Sequence, residues 1–133
     1  MTMRNALRYL VVAALVPSLV HAADAYVIAH AALKLTPEIV RDVYVGDKQF
    51  SGDVKLVLLD NATSQADFRA RVLKLDASKY DNLWTRKAFR DALNPPVVKS
   101  SDREIIDFVK KTPGAVGHIG SKPPEGVRLV QKF

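Results

Sequence analysis

The polar segment Asp60–Ser64 is the part of this sequence best suited to ligand chemistry. It follows the apolar run Val54–Leu59, which predicts a buried strand, and it precedes a predicted helix. Small polar side chains before a helix offer an anion hydroxyl groups, free backbone N–H groups and the positive end of the helix dipole. Open α/β folds usually hold ligands in loops of this kind, at the carboxyl end of a strand. The alternative is that Thr63 and Ser64 only satisfy backbone N–H groups, as every helix start requires.

The other polar residues predict neither a catalytic centre nor a metal site. The sequence has no cysteine, which excludes disulfides, thiolate metal sites and a cysteine nucleophile. His30 and His118 lack metal-ligand spacing and a neighbouring acid cluster, so we expect them to be solvated or core histidines. Gly114, Gly117 and Gly120 follow a predicted helix and run through a strand, unlike a phosphate-binding glycine loop. With no Gly-x-Ser-x-Gly motif either, we predict a protein that is not an enzyme and holds no metal or cofactor.

The first residues have the order of a secretory signal peptide. Arg4 and Arg8 precede a short apolar stretch, and small residues follow it. Val20 and Ala22 suit signal peptidase, so we predict cleavage after Ala22, with cleavage after Ala23 as the alternative. The uncharged stretch is about a dozen residues long, whereas a membrane-spanning helix needs about 20. We therefore expect residues 1–22 to be a signal peptide and residues 23–133 to form a single periplasmic domain that does not span the membrane.

The charge balance argues against nucleic acid as a partner. The whole chain carries 20 Lys+Arg and 14 Asp+Glu, a formal charge of +6, and removal of the predicted signal peptide lowers this to +4. The basic residues are spread along the chain, so they lack the concentrated charge of a nucleic-acid site. Five of them fall on two predicted middle helices, where they form either a solvated face or a surface for an acidic partner: Arg69, Arg71, Arg86, Lys87 and Arg90.

Strands and helices alternate along the sequence. Apolar runs predict strands at 25–30, 54–59, 115–119 and 127–130. Helices are predicted to start near Thr36 and at three capping boxes, which begin at Ser64, Ser78 and Ser101. Gly117 marks a close approach of two backbones. This order predicts an α/β fold, a three-layer sandwich around a mostly parallel or mixed sheet.

Three segments of the sequence resemble one protein family. They are Leu35–Lys48, the residues from Trp84 through Phe89 and Pro95–Pro96 to Val109, and Thr112–Ile119. The first looks like a Leu-Thr-helix-Gly segment, the second like a tryptophan helix with its following loop, and the third like a Pro-Gly-Ala-Ile-Gly-Tyr-Val strand. The family is the phosphate-binding branch of the type 2 periplasmic solute-binding proteins, and the chain is similar to the short one-domain proteins grouped with it.

The resemblance implies one solute-binding lobe, in which Asn61, Thr63 and Ser64 take the place of the family's Ser-Gly-Thr anion loop. It implies a small anionic ligand, phosphate or another oxyanion, and a membrane transporter or sensor protein as partner. The chain departs from the family pattern where the loop glycine and the preceding arginine are replaced, where Asp60 would repel phosphate, and where His118 replaces tyrosine. The first hypothesis is therefore an exported solute-binding-like protein that binds phosphate or another small oxyanion for transport or sensing. Asp60, the missing glycine and the single lobe favour the alternative, a periplasmic interaction or sensory module that keeps the fold without tight ligand binding.

Overall fold

The computed structural model describes residues 23–133 of the chain. The predicted signal peptide, residues 1–22, lies outside the described residues, so its cleavage stays a prediction. Within residues 23–133, no helix combines the length and the apolar character needed to cross a bilayer.

Seven strands and four helices make up the described part of the chain. The strands are β1 Tyr26–His30, β2 Phe50–Ser51, β3 Val54–Lys55, β4 Val57–Asn61, β5 Val97–Lys99, β6 Ala115–Ile119 and β7 Val127–Lys132. The helices are α1 Val40–Tyr44, α2 Gln65–Phe68, α3 Ala77–Asp91 and α4 Asp102–Lys111. A 3-10 turn, Pro37–Ile39, leads into α1, and a π-helical turn, Arg69–Leu73, continues α2.

Five of the strands form one mixed sheet in the order β5-β4-β6-β1-β7. Strand β4 runs parallel to both β5 and β6, and β1 runs antiparallel to its neighbours β6 and β7. Strands β2 and β3 form a separate antiparallel pair. The parallel strands β4, β5 and β6 therefore end at the same edge of the sheet, which is the edge that positions the predicted binding loop.

Apolar side chains cover both faces of the sheet. On β1, Val27 and Ala29 belong to a core that includes side chains of α1, α2 and α3, whereas Ile28 belongs to a second core with side chains of α4. Successive residues of a strand point to opposite faces, so these two cores lie on opposite sides of the sheet. The predicted α/β fold with three layers is confirmed.

Helix α4 lies very close to the central strand β6. A Cβ atom on Gly117 would come within 2.6 Å of the Ile105 side chain of α4. Only glycine leaves room for this contact, so the close neighbour at Gly117 is a side chain of α4 and not the second backbone that the sequence predicted.

The predicted strand 54–59 is wrong at both ends. Its first residues belong to the short β3, and β4 begins at Val57, whose N–H donates to the carbonyl of Gly114. Strand β4 then continues through Asp60 and Asn61, which the sequence predicted to be loop. Both side chains are hydrogen-bonded, which lets them remain in a buried strand: the Asp60 carboxylate pairs with Tyr80 and His118, and the Asn61 amide donates to Asp102 and to the His118 carbonyl. Strands β2 and β5 were not predicted.

Only one of the three predicted capping boxes caps its helix as expected. Ser101 Oγ accepts the Glu104 backbone N–H, 3.3 Å from the nitrogen, at the start of α4. Helix α3 instead begins at Ala77, because Asp76 accepts the backbone N–H three residues later, at 2.8 Å. The predicted cap at Ser78 is therefore wrong. Ser64 precedes α2 but makes no side-chain capping bond.

Candidate functional site

The candidate functional site lies where β4 and β6 end and α4 begins. Strand β4 brings Asn61 to this edge, the following turn brings Thr63, and the first residue of α4 is Asp102. Gly120 and Ser121 follow β6. We call these five residues the anion-site residues.

Asn61 organises the turn that follows β4. Its side-chain carbonyl accepts the backbone N–H of Thr63 at 3.0 Å and the Thr63 hydroxyl at 2.7 Å. Its side-chain NH2 group donates to Asp102 at 2.7 Å and to the His118 carbonyl at 3.0 Å. One buried amide thus connects the turn to both β6 and α4.

The carboxylate of Asp102 lies in the middle of the anion-site residues. In addition to the bond from Asn61, it accepts a hydrogen bond from the Gly120 N–H, with 3.2 Å between the nitrogen and Oδ2. The Thr63 hydroxyl oxygen lies 3.4 Å from Oδ1. Burial alone would raise the pKa of Asp102, but hydrogen bonds from Ser121, Asn61 and Gly120 favour the charged form, and the pKa is lowered. The edge of the sheet therefore holds an anion, and that anion is a side chain of the same protein.

A cluster of buried polar side chains lies beneath the turn. His118 Nε2 is 2.8 Å from Asp60 Oδ1, and His118 Nδ1 is 2.7 Å from Ser64 Oγ. A carboxylate can only accept hydrogen bonds, so Nε2 donates to Asp60, and in the neutral ring Nδ1 then accepts the Ser64 hydroxyl proton. The backbone N of Asn61 also approaches Nε2, at 3.3 Å. We call Asp60, Ser64 and His118 the buried polar cluster.

Two tyrosines and one phenylalanine enclose the buried polar cluster. The Tyr80 hydroxyl donates to Asp60 Oδ2 at 2.8 Å, and the Tyr44 hydroxyl donates to the Leu59 carbonyl at 2.8 Å. Burial, followed by the negative charge of Asp60, raises the pKa of both tyrosines well above the usual value, so both remain protonated donors. The Phe68 ring stacks on the His118 ring with 4.2 Å between centroids.

Asp60, Ser64 and His118 are the residue types of a hydrolase triad, but their surroundings favour a structural role. Ser64 is 6% exposed and His118 is fully buried. Neither residue lines any of four surface pockets along the described chain. The cluster fixes the end of β4 against β6 and holds the Ser64 hydroxyl inward.

The three residues predicted to bind a ligand lie in one turn, but they are not equally accessible. Thr63 is exposed, whereas Asn61 and Ser64 are buried. His30 lies at the other end of the fold, where its Nδ1 accepts the Ala32 N–H. Among residues 23–133, no three His, Asp or Glu side chains are grouped as a metal site.

The sequence did not pair Asp60 with His118, because 58 positions separate them. The signal that could have found the pair is the presence of one polar side chain near the end of each of two otherwise apolar strands. Only the parallel pairing of β4 with β6 brings those strand ends together.

Three solved structures share this fold over part of their length. One is a phosphate ABC transporter substrate-binding protein from Clostridium perfringens with bound phosphate, 16% identical, with a TM-score of 0.61 over 82% of this chain and 45% of that one. The PstS of Borrelia burgdorferi is 18% identical, with a TM-score of 0.53 over 74% of this chain and 41% of that one. An ABC-type phosphate transport receptor from Vibrio cholerae is 16% identical, with a TM-score of 0.51 over 82% of this chain and 46% of that one.

The chain shares its fold with one part of each of these three proteins. It spans less than half the length of each of these three proteins. No family model and no curated protein sequence matches it. The resemblance predicted from three sequence segments is thus confirmed at the level of the fold, and these neighbours are transport binding proteins and not enzymes.

Proposed function

We propose that this protein is an exported solute-binding-type protein that binds a small oxyanion, with phosphate as the preferred ligand, for transport or sensing. One observation carries the proposal: the Asn61 amide and the Gly120 N–H both donate to a single negatively charged group, the Asp102 carboxylate, and the Thr63 hydroxyl lies beside it at 3.4 Å. A phosphate oxygen can take the place of a carboxylate oxygen here, since both are negatively charged and accept hydrogen bonds from such donors. The phosphate bound to the Clostridium perfringens neighbour supports the same ligand class.

Asp102 competes with the ligand in this proposal. An oxyanion reaches the donors only when the carboxylate moves out, because two negative groups at one site repel each other. Asp102 is only partly buried and starts its helix, so its side chain has solvent to turn into. Binding by the wild-type protein is therefore expected to be weak, and removal of the carboxylate is expected to strengthen it.

The test compares Asp102→Ala with the wild-type protein by calorimetry against phosphate, sulfate and acetate. We expect Asp102→Ala to bind phosphate at least about tenfold more tightly than wild type. Asp107→Ala is the matched control, because Asp107 is an exposed aspartate on the same helix. Thr63→Ala in the Asp102→Ala background should weaken binding again. If neither wild type nor Asp102→Ala binds any of the three anions at millimolar concentration, the oxyanion proposal is refuted.

Export is part of the proposal and rests on the signal-like residues before Ala23. Cell fractionation should place the protein in the periplasm, and sequencing of its amino terminus should begin at Ala23, or at Asp24 if cleavage follows Ala23. Retention of the first residues on a membrane-bound protein would contradict this part.

The second candidate function is an interaction module that docks on a membrane transporter or sensor. It is favoured by Phe89, which is 90% exposed on α3 between the exposed Arg86 and Arg90. The exposed aromatic ring suits an apolar patch on a partner, and the two arginines suit acidic residues around that patch.

Site-specific crosslinking from position 89 in intact cells tests the second candidate. Arg86→Glu with Arg90→Glu should abolish crosslinking to one defined envelope protein, while the charge-reversed control pair Lys34→Glu and Lys122→Glu, exposed residues outside α3, should not. Equal crosslinking by both double variants would refute docking through this face.

A further inference from the structure

A pocket of about 350 Å³ lies at the opposite end of β4 from the anion-site residues. Its lining comes from the end of α1 and the residues that follow it, from β3 and the start of β4, from α3 and the residues that follow it, and from the edge strand β5. This volume falls within the range of small-molecule sites. The proposed oxyanion function does not use this pocket.

Apolar side chains form the floor of the pocket. Trp84 is 5% exposed and Leu56 is 8% exposed, and both line it together with Val43, Leu58 and Leu93. The Trp84 indole N–H donates to the Tyr44 carbonyl at 3.1 Å, so the polar edge of the ring is already satisfied and the ring is held in place. The floor therefore offers an apolar surface with a fixed aromatic ring.

Gly46 keeps one wall of the pocket open. A Cβ atom there would lie 3.1 Å from the Trp84 ring and 2.9 Å from the Lys87 side chain. The backbone at Gly46 also has a φ of +80°, which glycine adopts without strain. A larger residue would fill space that is now part of the pocket.

Positive charge and amide groups line the rim. Lys48 and Lys55 are exposed, and neither forms a salt bridge within residues 23–133, whereas the nearby Lys87 is paired with Asp47 at 2.7 Å. Gln49 and Asn94 add hydrogen-bonding groups. None of the described residues lining the pocket is acidic. The rim thus complements a negatively charged group.

We propose that this pocket binds a small amphipathic carboxylate, with its apolar chain or ring on the floor beside Trp84 and its carboxylate at the rim near Lys48 and Lys55. The apolar floor excludes bare phosphate as the occupant, because it offers that ion no hydrogen bonds. The positive charges of Lys48 and Lys55 favour an anionic head group over a cationic one.

The fluorescence of Trp84 provides a direct test, because it is the only tryptophan in the chain. Titration with octanoate should change its emission in a saturable way. Octylammonium has the same length of chain and the opposite charge, and we expect it to bind at least about fivefold more weakly. Acetate lacks the chain and should give no change. Phosphate should not compete with octanoate, which separates this pocket from the anion-site residues.

Neighbouring valines on β5 give a matched pair of variants. Val97 lines this pocket and Val98 lines a different one, and both are about half exposed. Val97→Phe should block octanoate binding, while Val98→Phe should leave it unchanged. Lys48→Gln with Lys55→Gln should weaken binding at least about fivefold, whereas the exposed control pair Lys34→Gln and Lys122→Gln should not.

Three results would overturn the proposal: a flat octanoate titration of the folded wild-type protein, equal effects of Val97→Phe and Val98→Phe, or an emission change that accompanies self-association in sedimentation. The last result would mean that a second copy of the chain covers the pocket. Circular dichroism of each variant establishes that it is folded before its titration is interpreted.

Discussion

Replacement of His118 by leucine should destabilise the protein severely, because it leaves the buried Asp60 without the ring that lies 2.8 Å from it. Leaving a buried hydrogen-bonding group without its partner costs about 1–3 kcal/mol, and more when that group is charged. Asp60 keeps the Tyr80 hydroxyl at 2.8 Å, so we expect a loss of about 3 kcal/mol. For a domain of this size that corresponds to a fall in Tm of about 12 °C. Urea unfolding followed by circular dichroism measures the loss.

A second substitution distinguishes buried charge from lost packing. If the unpaired charge is the cause, Asp60→Asn in the His118→Leu background should restore about 1–2 kcal/mol, because a neutral amide still accepts the Tyr80 hydroxyl. His30→Leu is the matched control. His30 accepts one hydrogen bond at an exposed turn, so its replacement should cost no more than about 1 kcal/mol. The reasoning is refuted if the double variant is less stable than His118→Leu, or if His30→Leu costs as much as His118→Leu.

Three further predictions concern packing, capping and pH. Gly117→Ala should cost about 1–3 kcal/mol in urea unfolding because the added methyl group has no room against α4, whereas Gly120→Ala, with no atom closer than 3.9 Å, should be nearly neutral. Asp76→Ala should lower stability by about 1 kcal/mol by removing the cap of α3, and Ser78→Ala should leave it almost unchanged; equal losses would contradict the observed start of the helix. The lowered pKa of Asp102 predicts that its charged form stabilises the fold above its unfolded pKa of 3.8 and that this contribution disappears as pH falls through the folded pKa. The difference in unfolding free energy between wild type and Asp102→Asn should therefore be present near neutral pH and absent well below 3.8, and a difference independent of pH would contradict this.

The two proposed sites differ in how they select a ligand. The hydrogen-bond donors among the anion-site residues lie at the end of the sheet, and they already donate to the Asp102 carboxylate. The pocket beside Trp84 supplies apolar surface with two lysines at its rim that form no salt bridge within residues 23–133. Because the sites lie at opposite ends of β4, variants at one site provide folded controls for ligand binding at the other.

The sequence by itself determined the fold class and the end of the strand at which the candidate site lies. Branched apolar runs predicted strands β1, β4 and β6, and the segment Thr112–Ile119 carried the resemblance that the solved structures confirm for the fold. These features could be predicted because they are local: periodicity, capping residues and glycine positions act within a few residues of the chain. The short strand β5 could not be predicted, since its three residues become a strand only by pairing with β4.

Only the tertiary structure decided what the polar residues do. The sequence placed Asp60 in a loop and presented Ser64 as a helix cap, whereas the fold buries both against His118, which comes from a strand far along the chain. It also placed Asp102 among the donors that the sequence had assigned to a ligand. These outcomes depend on which strand ends become neighbours in the sheet, and that is a property of long-range pairing that no local pattern contains.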